Sequence, residues 1–362
     1  MSSLGCTVDK RLPTPLRNAT WFLIAPTLVA CLMCFSGCSS SPSRFDFVNE
    51  RLMLLHIQEK IRTAASSVVG IAVSSEYRVE MFQHEIRNGV PVPDPTSPTH
   101  YRLKAGAMGI STSYKNQDVY GAGLVIFQEP RRAVVLTSRH ILLQPDTVNS
   151  FCLDSTGNVT DILYSRAVRT HSAYQVIGAT GRWHTARPEK TDPHNDLGLM
   201  IAEIEGVAPV PFPYDVAYDR KLDWGDLVFV FGNPRGIRQL TVGITSPSPY
   251  PGTFAVDAAA RFGFSGGPVF VATQDGELSL VGIIRGAQVN KLQYITPSPR
   301  LLPGQYLTQE DLKELKAEEY SMIEFGVAYA LNAEAIGSFL STSVQELGAK
   351  GISLPSRFFP KR

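Results

Sequence analysis

The sequence predicts an all-β protein, built as a barrel or a sandwich. Three observations carry this. From Val68 onward short runs rich in β-branched and aromatic residues recur: VVGIAV, GAGLVIF, AVVLTS, LGLMIA, LVFVFG, LTVGITS, PVFVA, LSLVGII and FGVAYAL. The 362 residues include 29 Gly and 25 Pro, which favour frequent turns over helical bundles. Few long helical patterns separate the runs, and no period of solenoid length recurs. With 44% hydrophobic residues the chain can bury a core, and its length suits two compact units or one large one.

Charge and cysteine usage narrow the class. Lys and Arg number 34 against 33 acids, a net charge of +1, which excludes the basic footprint of a nucleic-acid binder. Four of five cysteines (Cys6, Cys31, Cys34 and Cys38) lie in the first forty positions, and Cys152 stands apart. That distribution fits neither a disulfide framework nor a structural zinc site. Cys152 reads as a free thiol.

The N-terminus reads as an address. Lys10, Arg11 and Arg17 precede an uncharged apolar run, WFLIAPTLVACLMCF, then Ser36-Gly37-Cys38 and a Ser-rich stretch. A basic region, an apolar core and small residues before a cut form a secretory signal, and the run is short for a membrane span. FSGC resembles the lipobox of bacterial lipoproteins, although Phe35 stands where Leu is usual. That resemblance makes residues 1–37 a signal peptide and Cys38 a lipid-modified first residue, held to a membrane by its acyl chains. Ser39 points to the periplasmic side of the outer membrane.

Residues 38–45 read as a polar tether. A helix is expected over 46–64, N-capped by Asp46, with Val48, Leu52, Leu55, Ile57 and Ile61 on an apolar face. That face docks on the neighbouring barrel or forms a contact between subunits. Two stretches read as long loops: 76–118, which holds PVPDPTSPTH, and 288–320. The second contains a short helix in TQEDLKELKAEEY, with Thr308 and Asp311 in its first turn.

The most specific signal is GFSGGPVF at 263–270. Ser265 stands between glycines whose backbone can bend sharply and aim the N–H groups of Gly263 and Ser265 at one developing oxyanion. A serine hydroxyl needs a base. Of seven histidines, His140 directly follows an apolar strand in AVVLTSRHIL. The base needs an orienting carboxylate. Asp196 opens the strand HNDLGLMIA and is the natural candidate, with Asp192 in TDPH its competitor. The order His, Asp, Ser is one of the known triad orders and contradicts the Ser, Asp, His order of the esterase fold, although GFSGG fits that fold's elbow as text.

These blocks resemble chymotrypsin-fold serine proteases, and more closely the HtrA family. SSVVGIAV at 66–73, GAGLVI at 121–126, FGNPRGIRQLTVGITS at 231–246, DAAARFGFSGGPVF at 257–270, and LVGIIRGA followed by FGVAYALNAEAI are similar to that family's segments, in order. The resemblance implies a double β-barrel over 65–345, with a first barrel at about 66–205 and a second at about 222–335. An N-terminal helix, a short C-terminal helix and a tail over 346–362 complete it. It implies His140 as general base, Asp196 as its orienting group, Ser265 as nucleophile and Gly263 with Ser265 as the oxyanion hole. No metal or organic cofactor is expected. The substrates are proteins or peptides, the reaction is hydrolysis through an acyl-enzyme in envelope quality control or processing, and the assembly is a homotrimer. In this fold the primary specificity pocket lies between the residues before the nucleophile and the strand at 282–287. Ala258, Ala259 and Ala260 there suit small or medium apolar side chains, and Arg285 projects either to the cleft or outward.

The chain departs from the family in places. Phe264 replaces the usual Asn, 56 positions separate His140 from Asp196 and imply an extra loop near the site, and only 22 residues follow Leu340, too few for a PDZ domain. The segments 76–118 and 288–320 are expected to shape or gate the cleft. The rival expectation is a non-catalytic protein-binding lipoprotein on the same fold.

Overall fold

The structure is a computed structural model. It describes residues 56–361 apart from 88–89, 97–100, 107–108, 154–158, 179, 274–275, 298–307 and 309–314. The signal, Cys38, the tether and the first turns of the expected helix lie outside the described residues, as do the side chains of 288–297 and 315–325. Among the described residues no helix is long and apolar enough to cross a membrane.

Helix α1 covers 56–66 and is followed by β1 (Val68–Phe82), β2 (Ile86–Arg87), β3 (Val90–Pro91), β4 (Ile110–Glu129) and β5 (Arg132–Ser138). The short helix α2 (Arg139–Leu142) leads to β6 (Thr147–Leu153), β7 (Val159–Ile177), β8 (Trp183–Asp192) and β9 (Leu197–Glu203). A linker then enters β10 (Leu227–Gly232), β11 (Gln239–Pro247), β12 (Thr253–Asp257), β13 (Pro268–Ala272), β14 (Leu278–Pro297), β15 (Leu315–Asn332) and α3 (Ala333–Ala349).

Two closed barrels result. The first runs β1-β4-β5-β9-β8-β7, with β7 pairing back to β1 and β6 flanking β7. The second runs β10-β11-β12-β15-β14-β13. This is the chymotrypsin-like double β-barrel expected from the sequence. Closure removes the exposed strand edges that an open sheet presents.

Three apolar clusters hold the fold. Val69, Ile71, Val73, Val135 and Met200 fill the first barrel, and Val228, Val230, Val256, Val269 and Val281 fill the second. The third joins the barrels to α3 through Leu124, Leu136, Phe212, Phe231, Phe270, Phe339 and Phe358. Phe212 stacks on Phe270 with centroids 5.0 Å apart, and each such ring contributes about 1.5–3 kcal/mol by burial. Ile57, Ile61 and Ala65 of α1 pack on this cluster, and Lys60 Nζ donates to Glu277 at 2.5 and 2.7 Å. The described part of α1 thus docks on the barrels.

Several loop and helix expectations are corrected. Residues 76–82 and 110–118 are not loop: β1 and β4 stay paired from Val68↔Leu124 out to Phe82↔Ile110, and β7 joins them, making a solvated arm beyond the barrel. The residues between His140 and Asp196 form β6, β7 and β8, of which β6 and the outer part of β7 belong to the same arm. None of them lines the three cavities beside Ser265 described below. In 288–320, β14 continues to Pro297 and β15 begins at Leu315, so Leu315–Tyr320 is strand where the sequence suggests helix. The register Tyr294↔Glu318 and Leu292↔Tyr320 shows why: pairing with β14 overrides the local helix preference.

The C-terminal helix is also longer than expected, with 17 residues. Asn332 caps it by accepting from Ala335 N–H at 3.0 Å. The tail is packed, not loose: Ile352 and Phe358 are buried, and Arg357 Nε donates to Phe212 O at 2.9 Å.

Candidate active site

His140 sits in α2, directly at the end of β5. Ile141 and Leu142 are fully buried and anchor the turn, leaving the His140 side chain 44% exposed. Asp196 closes the turn before β9 with φ of 55°, a left-handed conformation that Asp tolerates better than most residues. It grips α2 three times. Its carbonyl accepts from Arg139 N–H at 2.8 Å, Oδ1 accepts from His140 N–H at 3.0 Å, and Oδ2 lies 2.7 Å from His140 Nδ1. A carboxylate only accepts, so Nδ1 carries the proton and Nε2 is left with a free lone pair.

The two aspartates differ in the hydrogen bonds they make. Asp192 Oδ1 accepts from His194 and Asn195 N–H, at 2.9 and 3.3 Å, and Oδ2 accepts from Asn195 Nδ2 at 2.7 Å. Burial alone raises the Asp192 carboxyl, but these Asn195 and His194 bonds outweigh it and hold it below its ordinary value of 3.8. Asp192 therefore builds the turn that presents Asp196. That contribution is present above the ordinary carboxylate range and is lost as pH falls through the lowered value.

Ser265 lies in the turn between β12 and β13. Gly263 and Gly266 have φ of 97° and 75°, which disfavour any side chain. A Cβ on Gly263 would stand 2.5 Å from Pro234 Cα, and one on Gly266 would stand 2.1 Å from Thr137 Oγ1 and 2.3 Å from Ala122 O. The turn is pinned from both barrels. Ala122 N–H donates to Ser265 O at 2.9 Å, Gly266 N–H to Ile284 O at 2.8 Å and Asn233 N–H to Gly263 O at 2.8 Å. Thr137 and Ser138, next to His140, donate to Ala122 O at 2.7 Å and Ile284 O at 3.0 Å.

Phe264 N–H is spent on Arg261 O at 2.9 Å, whereas among the described residues nothing accepts from the N–H of Gly263 or Ser265. Phe264 substitutes packing for side-chain bonding. It is 2% exposed, and its ring lies against the bare backbone of Gly232. Among the described residues no hydrogen bond joins Ser265 Oγ to His140, and no group of three His, Cys, Asp or Glu could hold a metal ion.

Three cavities surround the turn. A small one of about 110 Å³ is lined by Ala260, Arg261, Phe262, Phe264, Ser265, Ile284, Gly286 and Ala287. A second, of about 500 Å³, runs along β14 past Arg285 to Tyr250, Tyr329 and Asp196. A third, of about 720 Å³, lies beyond Gly263. Of the residues expected in the specificity pocket, Ala260 lines the small cavity. Ala259 is exposed and does not line it, and Arg285 lines the 500 Å³ cavity instead.

Residues 121–283 match the trypsin-like peptidase domain. With the two closed barrels, the match supports a protease of the trypsin/chymotrypsin fold, and it spans His140, Asp196 and Ser265. No curated protein matches the chain. The anchors Thr137, Ser138, Ala122 and Asn233 escaped the sequence-based expectations. The GNPRG block was visible, but nothing local placed Asn233 under Gly263.

Proposed function

We propose that this chain is a serine endopeptidase, HtrA-like and lipid-anchored, that hydrolyses peptide bonds through an acyl-enzyme. The observation that carries the proposal is the pair of unspent N–H groups, Gly263 and Ser265, flanking a serine opposite an Asp196-bound imidazole. His140 Nε2 takes the Ser265 proton as Oγ attacks the carbonyl carbon. The Gly263 and Ser265 N–H groups hold the negative oxygen, and the imidazolium then gives its proton to the leaving amine. Water enters by the same route and releases the acyl group, restoring Ser265. Asp196 steadies the imidazolium without itself becoming protonated. The small volume and the Ala260, Phe264, Ile284 and Ala287 walls of the 110 Å³ cavity support small or medium apolar side chains before the scissile bond.

One observation favours a second reading, a non-catalytic protein-binding domain: the missing Ser265–His140 hydrogen bond. Such bonds are often long without substrate and tighten when it binds. Casein hydrolysis separates the two. Wild type is expected to degrade unfolded casein and Ser265→Ala to degrade none; a wild type that degrades none supports the binding domain.

The membrane attachment rests on the FSGC sequence alone. Cys38→Ser is expected to move the protein from the membrane to the soluble fraction, and retention in the membrane fraction would refute the lipid anchor.

A further inference from the structure

The 720 Å³ groove lies across the Arg261–Gly263 ridge from the small cavity; Arg261 and Phe262 line both. The two barrels share its walls: Val119 and Tyr120 come from β4, Ile237 from the turn after β10, and Phe262 and Gly263 from the Ser265 turn. Ile237 is 64% exposed and Phe262 77%, large apolar surfaces that gain by being covered.

The groove is also cationic. Arg235 and Arg261 line it against one acid, Asp118. Arg261 Nη2 donates to Gln239 Oε1 at 2.6 Å. Arg235 is exposed, and among the described residues its guanidinium has no hydrogen-bond or ion-pair partner. Its backbone is left-handed, with φ 53° and ψ 35°, and Gly236 follows at φ 81°. A side chain at that point is disfavoured by its Cβ, so the turn's own geometry would favour glycine or asparagine. An arginine held there supplies a cation to the groove.

We propose that this groove receives the leaving-group side of a peptide substrate and selects segments that place one acidic side chain beside an apolar one, with Arg235 as the specificity-determining residue. The inference rests on the peptidase reading above. With the acyl side chain in the small cavity and the carbonyl oxygen at Gly263 N–H, the chain beyond the scissile bond crosses the ridge into the groove. An apolar side chain there covers Ile237 and Phe262, and a carboxylate meets the free fork of Arg235 in paired hydrogen bonds. Asp118 reduces the summed charge of the lining to that of one cation, which suits a single carboxylate better than an acidic run.

The test measures binding apart from catalysis. The full-length Ser265→Ala chain is titrated with twin fluorescent peptides that carry Ala at the scissile position, followed by Leu-Glu or Leu-Gln. The Glu peptide is expected to bind about tenfold more tightly at low salt, as a charge-assisted bond allows. The ratio is expected to fall towards one in Ser265→Ala with Arg235→Gln, and to shrink at about 1 M salt. Equal binding of the twins, or a ratio that survives Arg235→Gln, overturns the proposal. Cleavage is read separately with wild type, the Glu located on the leaving fragment by mass. Equal kcat/KM for the twins also overturns the proposal, whereas selective binding with no cleavage overturns the peptidase reading and leaves the groove's selectivity standing.

Discussion

Asparagine at position 196 is expected to lower kcat about 10⁴-fold at neutral pH, with the fold intact. Asp196 Oδ2 lies 2.7 Å from His140 Nδ1 and fixes the proton there, leaving Nε2 basic. An asparagine that turns its amide N–H groups to Nδ1 reverses the tautomer, so the proton sits on Nε2 and cannot be accepted from Ser265. The other grips on α2, to Arg139 and His140 N–H, can still be made by oxygen atoms, so the turn should survive. Steady-state peptide hydrolysis and thermal melting of Asp196→Asn measure the two effects. A loss of less than about tenfold would mean that Asp196 does not orient the base.

Alanine at position 266 is expected to damage both stability and activity. Its Cβ meets three atoms of the first barrel, Thr137 Oγ1 at 2.1 Å, Ala122 O at 2.3 Å and Ser138 N at 2.9 Å, at a backbone φ of 75°. Strain and overpacking together cost about 2–4 kcal/mol. Relief comes only by moving Ser265 away from the barrel that carries His140, and a shift of about 1 Å is enough to lower the rate roughly 10²-fold. Gly225→Ala is the control. Its φ is 83° but nothing lies within 4 Å of the added Cβ, so it should show backbone strain alone and full activity. Equal behaviour of the two variants in melting and turnover would show that the barrels are not held together through Gly266.

The strands β5 and β9 were legible because each is a near-continuous apolar run. AVVLTS and LGLMIA are buried along their length as β5 and β9. The arm was only half legible: on β1, Tyr77, Val79 and Met81 alternate with Glu76, Arg78 and Glu80, but the facing ISTSYKNQD of β4 has no such alternation and is strand through pairing. At the site, Ser265 and His140 stood out through local motifs, and Gly263 with Gly266 through the turn they require. Asp196 could not be separated from Asp192 by spacing, since the difference lies in which carboxylate the turn consumes. The groove at Arg235 joins β4 to a turn more than a hundred residues later, and no local pattern announces such a meeting.

The most direct test is covalent labelling with a fluorophosphonate, followed by mapping of the adduct by mass spectrometry. Attack on phosphorus needs the same activated hydroxyl and the same N–H pair as attack on a carbonyl. Wild type should take up one phosphonate on Ser265, His140→Ala should label far more slowly, and Ser265→Ala should not label. A wild type left unlabelled in the presence of unfolded substrate, or an adduct on any other residue, would contradict the assignment of Ser265 as the nucleophile.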